Sequence, residues 1–224
     1  MGNRVKIIGA GIAGLSAGCY LQMNGYETEI YELHNIPGGL CTGWERMGYT
    51  FDGCIHWLVG SSPDSNFYPL WNELIDMGRQ KFVDHEVYLR ILGNDDEHYI
   101  DFYTDADKLE EELLKKAPED EKLIRQFTGA IRRFKKMSLP VGKAREVMGP
   151  IDGMKTIAGL LPYLGQFTKW RHLSIGKFAM QFENPLLRKG IASLFVPEMA
   201  VLFIIMNMAW MSRKEAGYPV GGSL

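Results

Sequence analysis

An α/β fold that opens with a parallel βαβ unit is predicted by three features of the first forty residues. A short apolar run, Val5-Lys6-Ile7-Ile8, reads as a strand and leads into Gly9-Ala10-Gly11-Ile12-Ala13-Gly14. A helix-forming stretch over 13–23 stops at Asn24-Gly25. A second strand-like run over 27–32 closes on an acid, Glu32. Strand, glycine turn, helix, strand and acid in that order form a Rossmann-like unit, the arrangement that holds the diphosphate and ribose of a dinucleotide.

Each element of the turn has its own task. Gly9 permits the tight exit from the strand. Gly11 lacks a Cβ, so backbone can approach a pyrophosphate, and Gly14 lets the helix pack close to the sheet. The helix start at Ile12 and Ala13 directs free N–H groups and the positive end of its dipole at the phosphates. Glu32 lies 23 positions after Gly9, close to the spacing of about 20 residues expected for a carboxylate on a ribose hydroxyl. An acid there argues against a 2′-phosphate and so against NADP. The plainer alternatives are a glycine-rich turn without a ligand and an ordinary carboxylate at a strand end.

Composition sets the class. The chain has 224 residues, 46% apolar and 23% charged, as in a soluble globular protein of one large or two small domains. The net charge of −2 hides an asymmetry: residues 1–129 carry 11 Lys+Arg against 22 Asp+Glu, whereas 130–190 carry 12 against 3. The basic segment is read either as a face for an anionic surface or as a solvated face that balances an acidic neighbour. Three cysteines, Cys19, Cys41 and Cys54, show no metal-ligand spacing. Cys19 is expected in the core, and Cys41 and Cys54 flank an expected strand pair. A disulfide framework is not expected, and the reading is a cytoplasmic protein. The dinucleotide strand starts too early to leave room for a signal peptide, and Lys6 breaks the myristoylation pattern at Met1-Gly2.

Further along, 48–51 reads as a strand and 66–77 as a helix. Val87–Leu92 and 98–103 alternate around Gly93-Asn94-Asp95-Asp96 as a hairpin. Asp105 caps a helix through Lys116, and Pro118-Glu119-Asp120 opens another through Phe134. From Pro140 the chain is apolar and basic, with breaks at Gly149-Pro150, Pro162 and Pro185. The apolar run 191–211 is interrupted by Pro197, Glu198 and Asn207, which favours a buried or interfacial segment over a membrane span.

Glu32 with Pro37-Gly38-Gly39 resembles the glutathione-reductase-like FAD flavoproteins. The block Gly48-Tyr49-Thr50-Phe51-Asp52-Gly53-Cys54-Ile55-His56-Trp57 is similar to the stretch after the Gly-Gly pair in phytoene desaturases and retinol saturases. The terminal Gly217-Tyr218-Pro219-Val220-Gly221-Gly222-Ser223 resembles their return from the substrate domain. Leu40 stands where desaturases commonly carry Arg, and a Gly usual at position 54 is at 53 instead. The resemblance implies FAD as cofactor, with Gly9, Gly11, Ile12, Ala13 and Gly14 on the pyrophosphate, Glu32 on the adenosine ribose, and Gly38, Gly39 and Leu40 towards the flavin. It implies an FAD-binding part at 1–62, an inserted, mostly helical α+β substrate domain at 63–214, and a return at 215–224. Because family members are longer, the chain is read as a fragment of that pattern.

The implied activity is FAD-dependent oxidoreduction of a lipophilic polyene or isoprenoid. The alternatives are a flavin amine oxidase or protoporphyrinogen oxidase-like enzyme and a non-catalytic nucleotide-binding remnant. Flavin chemistry resides mostly in the cofactor, so no catalytic triad is expected. His56 is the one acid–base candidate, with a structural role as its alternative. Asp52 is read as holding a turn, and His34, His85, His98 and His172 show no metal-ligand spacing. Apolar and aromatic residues over 151–170, interleaved with Lys155 and Lys169 and followed by Arg171, fit an interfacial membrane contact within 130–190 or a helix of a lipophilic-substrate domain. A nucleic-acid partner is not expected.

Overall fold

The computed structural model describes residues 3–94, 98–139, 141, 143 and 145–222. The readings at Met1-Gly2, Asp95-Asp96, Pro140 and Ser223 lie outside the described residues. β1 (Arg4–Ile8) pairs in parallel with β2 (Glu27–Tyr31), Arg4 opposite Glu27 and Ile8 opposite Tyr31, and α1 (Ile12–Met23) is the crossover. The α1 face that meets the sheet is pared to glycine: a Cβ on Gly18 would stand 3.0 Å from Ile30 Cδ1. Cys19, on the next position round the helix, is exposed rather than in the core, because Gly18 is the residue α1 buries.

An antiparallel hairpin follows, β3 (Gly43–Arg46) with β4 (Tyr49–Asp52), and Trp44 stacks on Phe51 with ring centres 5.9 Å apart. β5 (Leu58–Val59) leads to α2 (Tyr68–Asn72), a single short helix where 66–77 was expected as one. Polar side chains break it. Asn72 Oδ1 accepts the Met77 N–H, and Asp76 accepts the Gly78 N–H, so these donors are taken from a continuing helix.

The remaining chain builds the main core. After β6 (Phe82–Val83), the hairpin of β7 (Val87–Leu92) and β8 (Tyr99–Tyr103) turns Ile91, Ile100 and Phe102 inward. Arg90 grips Asp101 with two bonds, 2.6 and 2.7 Å. Asp105 caps α3 (Ala106–Lys116) by accepting the N–H groups of Asp107 and Lys108. α4 (Glu121–Phe134) packs beside it. Arg125 and Arg132 on α4 reach Glu110 on α3, and Arg132, the one of the two within the basic segment 130–190, also reaches Asp107. α5 (Pro150–Leu160), α6 (Leu164–Trp170), α7 (Ile175–Ala179), α8 (Pro185–Ala192) and α9 (Val201–Ser212) complete the helical part. Ile191, Leu194, Ile204, Ile205 and Met208 are buried, so the apolar run 191–211 contributes to the core at both ends, while 196–198 between them are exposed. Among the described residues, no helix is long and apolar enough to cross a membrane.

The chain then returns. β9 (Ala216–Pro219) lies between β5 and β6, antiparallel to both, with Leu58 opposite Gly217 and Phe82 opposite Pro219. This three-stranded sheet joins the segment after β4 to the helical core.

Phe102 is fully buried at the meeting of β8 and α8, where its ring fills the space beside Gly190. Phe102→Ala is expected to cost about 3–5 kcal/mol. A urea unfolding midpoint that does not fall would contradict this packing.

Candidate functional site

The first candidate site is the crevice made by the glycine turn. Gly38 N–H donates to Ala10 O at 2.7 Å, and Gly11 bridges Gly38 in parallel, so 36–39 runs alongside the turn after β1. The approach is backbone on backbone. A Cβ on Gly39 would lie 3.1 Å from Gly11 Cα, and one on Gly14 would lie 2.0 Å from Gly9 O. Gly38 and Gly39 both take positive φ, 117° and 64°, which side chains resist.

Glu32, just past β2, reaches back across this turn. Its carboxylate accepts the Ala10 N–H at 2.6 Å and the His34 N–H at 2.9 Å. Those two bonds, His34 first, hold its pKa below the usual carboxylate range. An ionised carboxylate therefore stands beside the N-terminus of α1, which carries no side-chain cap and no acid in its first turn. Ile12 and Ala13 are exposed at that N-terminus, and Leu40 is 92% exposed at the far lip. The structure thus brings Gly9, Gly11, Gly14, Glu32, Gly38 and Gly39 into one open crevice, whereas the Leu40 side chain makes no such close approach.

The second element is a cavity of about 550 Å³ between the β5–β9–β6 sheet, the β7–β8 hairpin and the α8–α9 region. Trp57, Tyr88, Phe195 and Tyr218 give it aromatic walls, and Asp84 and His85 add polar groups. Trp57 meets Tyr88 and Phe195 edge-on at 5.8 and 6.4 Å. The Trp57 indole donates to Asn207 Oδ1 at 2.7 Å, and Asn207 Nδ2 in turn donates to Phe203 O. The Asn that interrupts the apolar run 191–211 therefore fixes a cavity wall. Tyr88 is locked by donating its hydroxyl to Leu194 O, and burial raises its pKa.

His56 lines this cavity, is exposed, and lies 6.0 Å ring to ring from Trp57. Among the described residues no hydrogen bond orients its ring, so no acid–base relay is assembled on it. Asp52 holds the turn that carries it, accepting the N–H groups of Cys54 and Ile55 at 2.8 and 2.7 Å. The segment 52–57 thus runs from the β3–β4 hairpin into the cavity. Trp57, Tyr88, His85, Tyr218 and Asn207 were not singled out as site residues in the sequence. Trp57 and Tyr218 lie in the two blocks that carry the family resemblance, and Asn207 stands out as a polar residue inside an apolar run. Among the described residues no cluster of His, Cys, Asp and Glu is suited to a metal ion.

Residues 7–74 match the NAD(P)-binding Rossmann-like domain family. The chain is 28% identical over 127 residues to an inactive all-trans-retinol 13,14-reductase of Danio rerio, covering 55% of this chain and 21% of that protein. It is 33% identical over 85 residues to a 15-cis-phytoene desaturase of Synechococcus elongatus, covering 38% and 18%. It is 28% identical over 109 residues to a carotenoid 3,4-desaturase of Haloarcula japonica, covering 49% and 20%. The matched stretches therefore amount to about a fifth of these relatives' lengths. In fold, a solved putrescine oxidase variant with redesigned cofactor binding superimposes with a TM-score of 0.51 at 15% identity, over 98% of this chain and 46% of that one. The N-terminal part of the chain is therefore a Rossmann-like dinucleotide-binding fold. Over the matched stretches it is similar to phytoene and carotenoid desaturases and to a retinol reductase.

Two outcomes follow from the geometry. Because Glu32 has a depressed pKa when folded, its hold on the turn is present above the ordinary carboxylate range and is lost as pH falls through the lowered value. The Ala10 amide resonance should titrate with a midpoint below the ordinary Glu range, and Glu32→Gln should abolish that titration; a midpoint at or above the ordinary range would contradict the bond. Asn207→Leu leaves the Trp57 indole N–H without its acceptor and is expected to cost about 1–3 kcal/mol, with a shift in tryptophan emission. Unchanged stability and emission would show that Asn207 does not hold the wall.

Proposed function

We propose that the chain is the dinucleotide-holding and substrate-facing part of an FAD-dependent oxidoreductase acting on a lipophilic polyene or isoprenoid. The observation that carries the cofactor is the ionised Glu32 carboxylate beside an uncapped helix N-terminus, in a crevice where glycines leave no Cβ to obstruct a ligand. These residues fit an ADP moiety. The N–H groups at the start of α1 would hold the diphosphate, and Glu32 has lone pairs left for ribose hydroxyls. Gly38 and Gly39 would line the path on towards the flavin. When bound, the flavin would supply two-electron exchange with the substrate. The chain's own part is to grip the nucleotide, to lead through 52–57 to the cavity, and to shelter an apolar substrate between Trp57, Tyr88 and Phe195.

An exposed stripe supports delivery of such a substrate from a lipid surface. Ile151, Met154, Ile157, Leu161 and Leu164 recur every three or four residues along α5, the 3-10 turn Leu161–Tyr163 and the start of α6, and each is at least half exposed. Lys155 lies among them, and Lys169 and Arg171 follow. Apolar residues flanked by cations fit an anionic bilayer surface. A second reading, an amine substrate, draws on Asp84 beside the aromatic walls, since a carboxylate and ring faces attract a cation.

Purified chain is expected to carry a flavin absorbance that dithionite bleaches, and Glu32→Ala is expected to weaken FAD retention at least tenfold, about 1.4 kcal/mol or more. A colourless protein that stays inert after FAD is added would instead make it a nucleotide-binding remnant. Anaerobic bleaching by a polyene and not by a diamine favours the first substrate class, and the reverse result favours the second.

Liposomes of anionic lipid should sediment the chain at low salt and less of it at high salt. Met154→Asp with Ile157→Asp should lower this partitioning about tenfold or more, as expected for losing two apolar anchors. No binding at low salt would remove the membrane contact.

A further inference from the structure

The thiols of Cys41 and Cys54 face each other just beyond the open end of the β3–β4 hairpin. Their sulfurs are 3.4 Å apart, both side chains are half-buried, and neither is in a disulfide. Backbone pairing puts them there. The β3–β4 ladder sets Gly43 opposite Asp52, and the bond from Gly53 N–H to Thr42 O at 3.0 Å continues the pairing by one rung. The next rung brings 41 opposite 54. Rungs that flank a hydrogen-bonded pair are the close ones, with Cα atoms about 4.5 Å apart, inside the range of about 4.4–6.8 Å that a disulfide spans.

We propose that Cys41 and Cys54 form a redox dithiol that a peroxide oxidises to an intrachain disulfide. The Cys54 sulfur, as thiolate, attacks a peroxide oxygen; the O–O bond breaks, and sulfenic acid and one water form. The Cys41 sulfur then attacks the sulfenic sulfur, the S–S bond forms, and a second water leaves. The two thiols lose two electrons and two protons, and hydrogen peroxide gains both to become two waters. The contact with Cys54, burial and the nearby charges of Cys54 and Asp52 push the Cys41 thiol up, which suits it to the second step rather than the first. The bond would tie the end of the Gly38-Gly39 turn, which lies on Gly11, to the segment that carries His56 and Trp57.

Cys19 is exposed on α1 and serves as the internal control. The reduced full chain, treated with a modest excess of hydrogen peroxide, should fall from three titratable thiols to one. Its mass should drop by two hydrogens, and non-reducing digestion should yield a peptide linking 41 to 54. Cys19→Ser should leave the cross-link intact, and dithiothreitol should reverse it. Cys41→Ser should trap a sulfenic acid on Cys54, readable with a dimedone probe. Retention of three thiols, dimers joined through Cys19, or oxygen adducts on single cysteines without the linked peptide would each overturn the proposal.

Discussion

The bond between the Ala10 N–H and the Glu32 carboxylate is the constraint on which the rest depends. It joins the turn after β1 to the end of β2, two points 22 residues apart in sequence. It leaves an ionised oxygen pair beside the positive end of α1. Because Gly38 donates to Ala10 O, one residue of the turn receives the Pro37-Gly38-Gly39 segment on its carbonyl and Glu32 on its amide. Any Cβ at Gly14 or Gly39 would push these strands of backbone apart.

Two regions of different thickness meet at this turn. The βαβ unit is thin: Ile8, Leu33 and Leu40 are almost fully exposed, and α1 buries little beyond Gly18. The helical region is deep, with Phe102, Leu109, Phe127, Phe178 and Ile205 closed from solvent. What connects them is narrow. It consists of 52–57, the three-stranded sheet of β5, β9 and β6, and the Gly217 N–H bond to Ser61. The aromatic cavity lies at that junction, so a group held by the crevice and a molecule held by the cavity would be brought together through one short segment of chain.

Features carried by neighbouring residues were legible in the sequence. The order from Gly9 to Glu32, the β7–β8 hairpin and the Asp105 cap all depend on local spacing, and each has the expected form. Features made by distant residues were not. Trp57 and Asn207 are 150 positions apart, and their hydrogen bond leaves no local mark except a polar residue in an apolar helix. The cavity was illegible for the same reason, since its walls come from β7, β9 and the turn between α8 and α9. Local chemistry also misled. The 66–77 periodicity suggested one helix, but Asn72 and Asp76 take its backbone donors, and Cys19 was assigned to a core that the thin sheet does not provide. Of the basic segment 130–190, Arg132 pairs with acids on α3, and the α5–α6 stripe is exposed.

The central claim, that a nucleotide diphosphate lies across the glycine turn, is tested most directly by titrating isotope-labelled chain with ADP and following its amide resonances. The amides of Gly9, Gly11, Ile12, Ala13, Gly14, Gly38 and Gly39 should move together with one dissociation constant, while the Trp57 indole resonance stays in place. Shifts confined to the cavity residues, or none at saturating ADP, would contradict it.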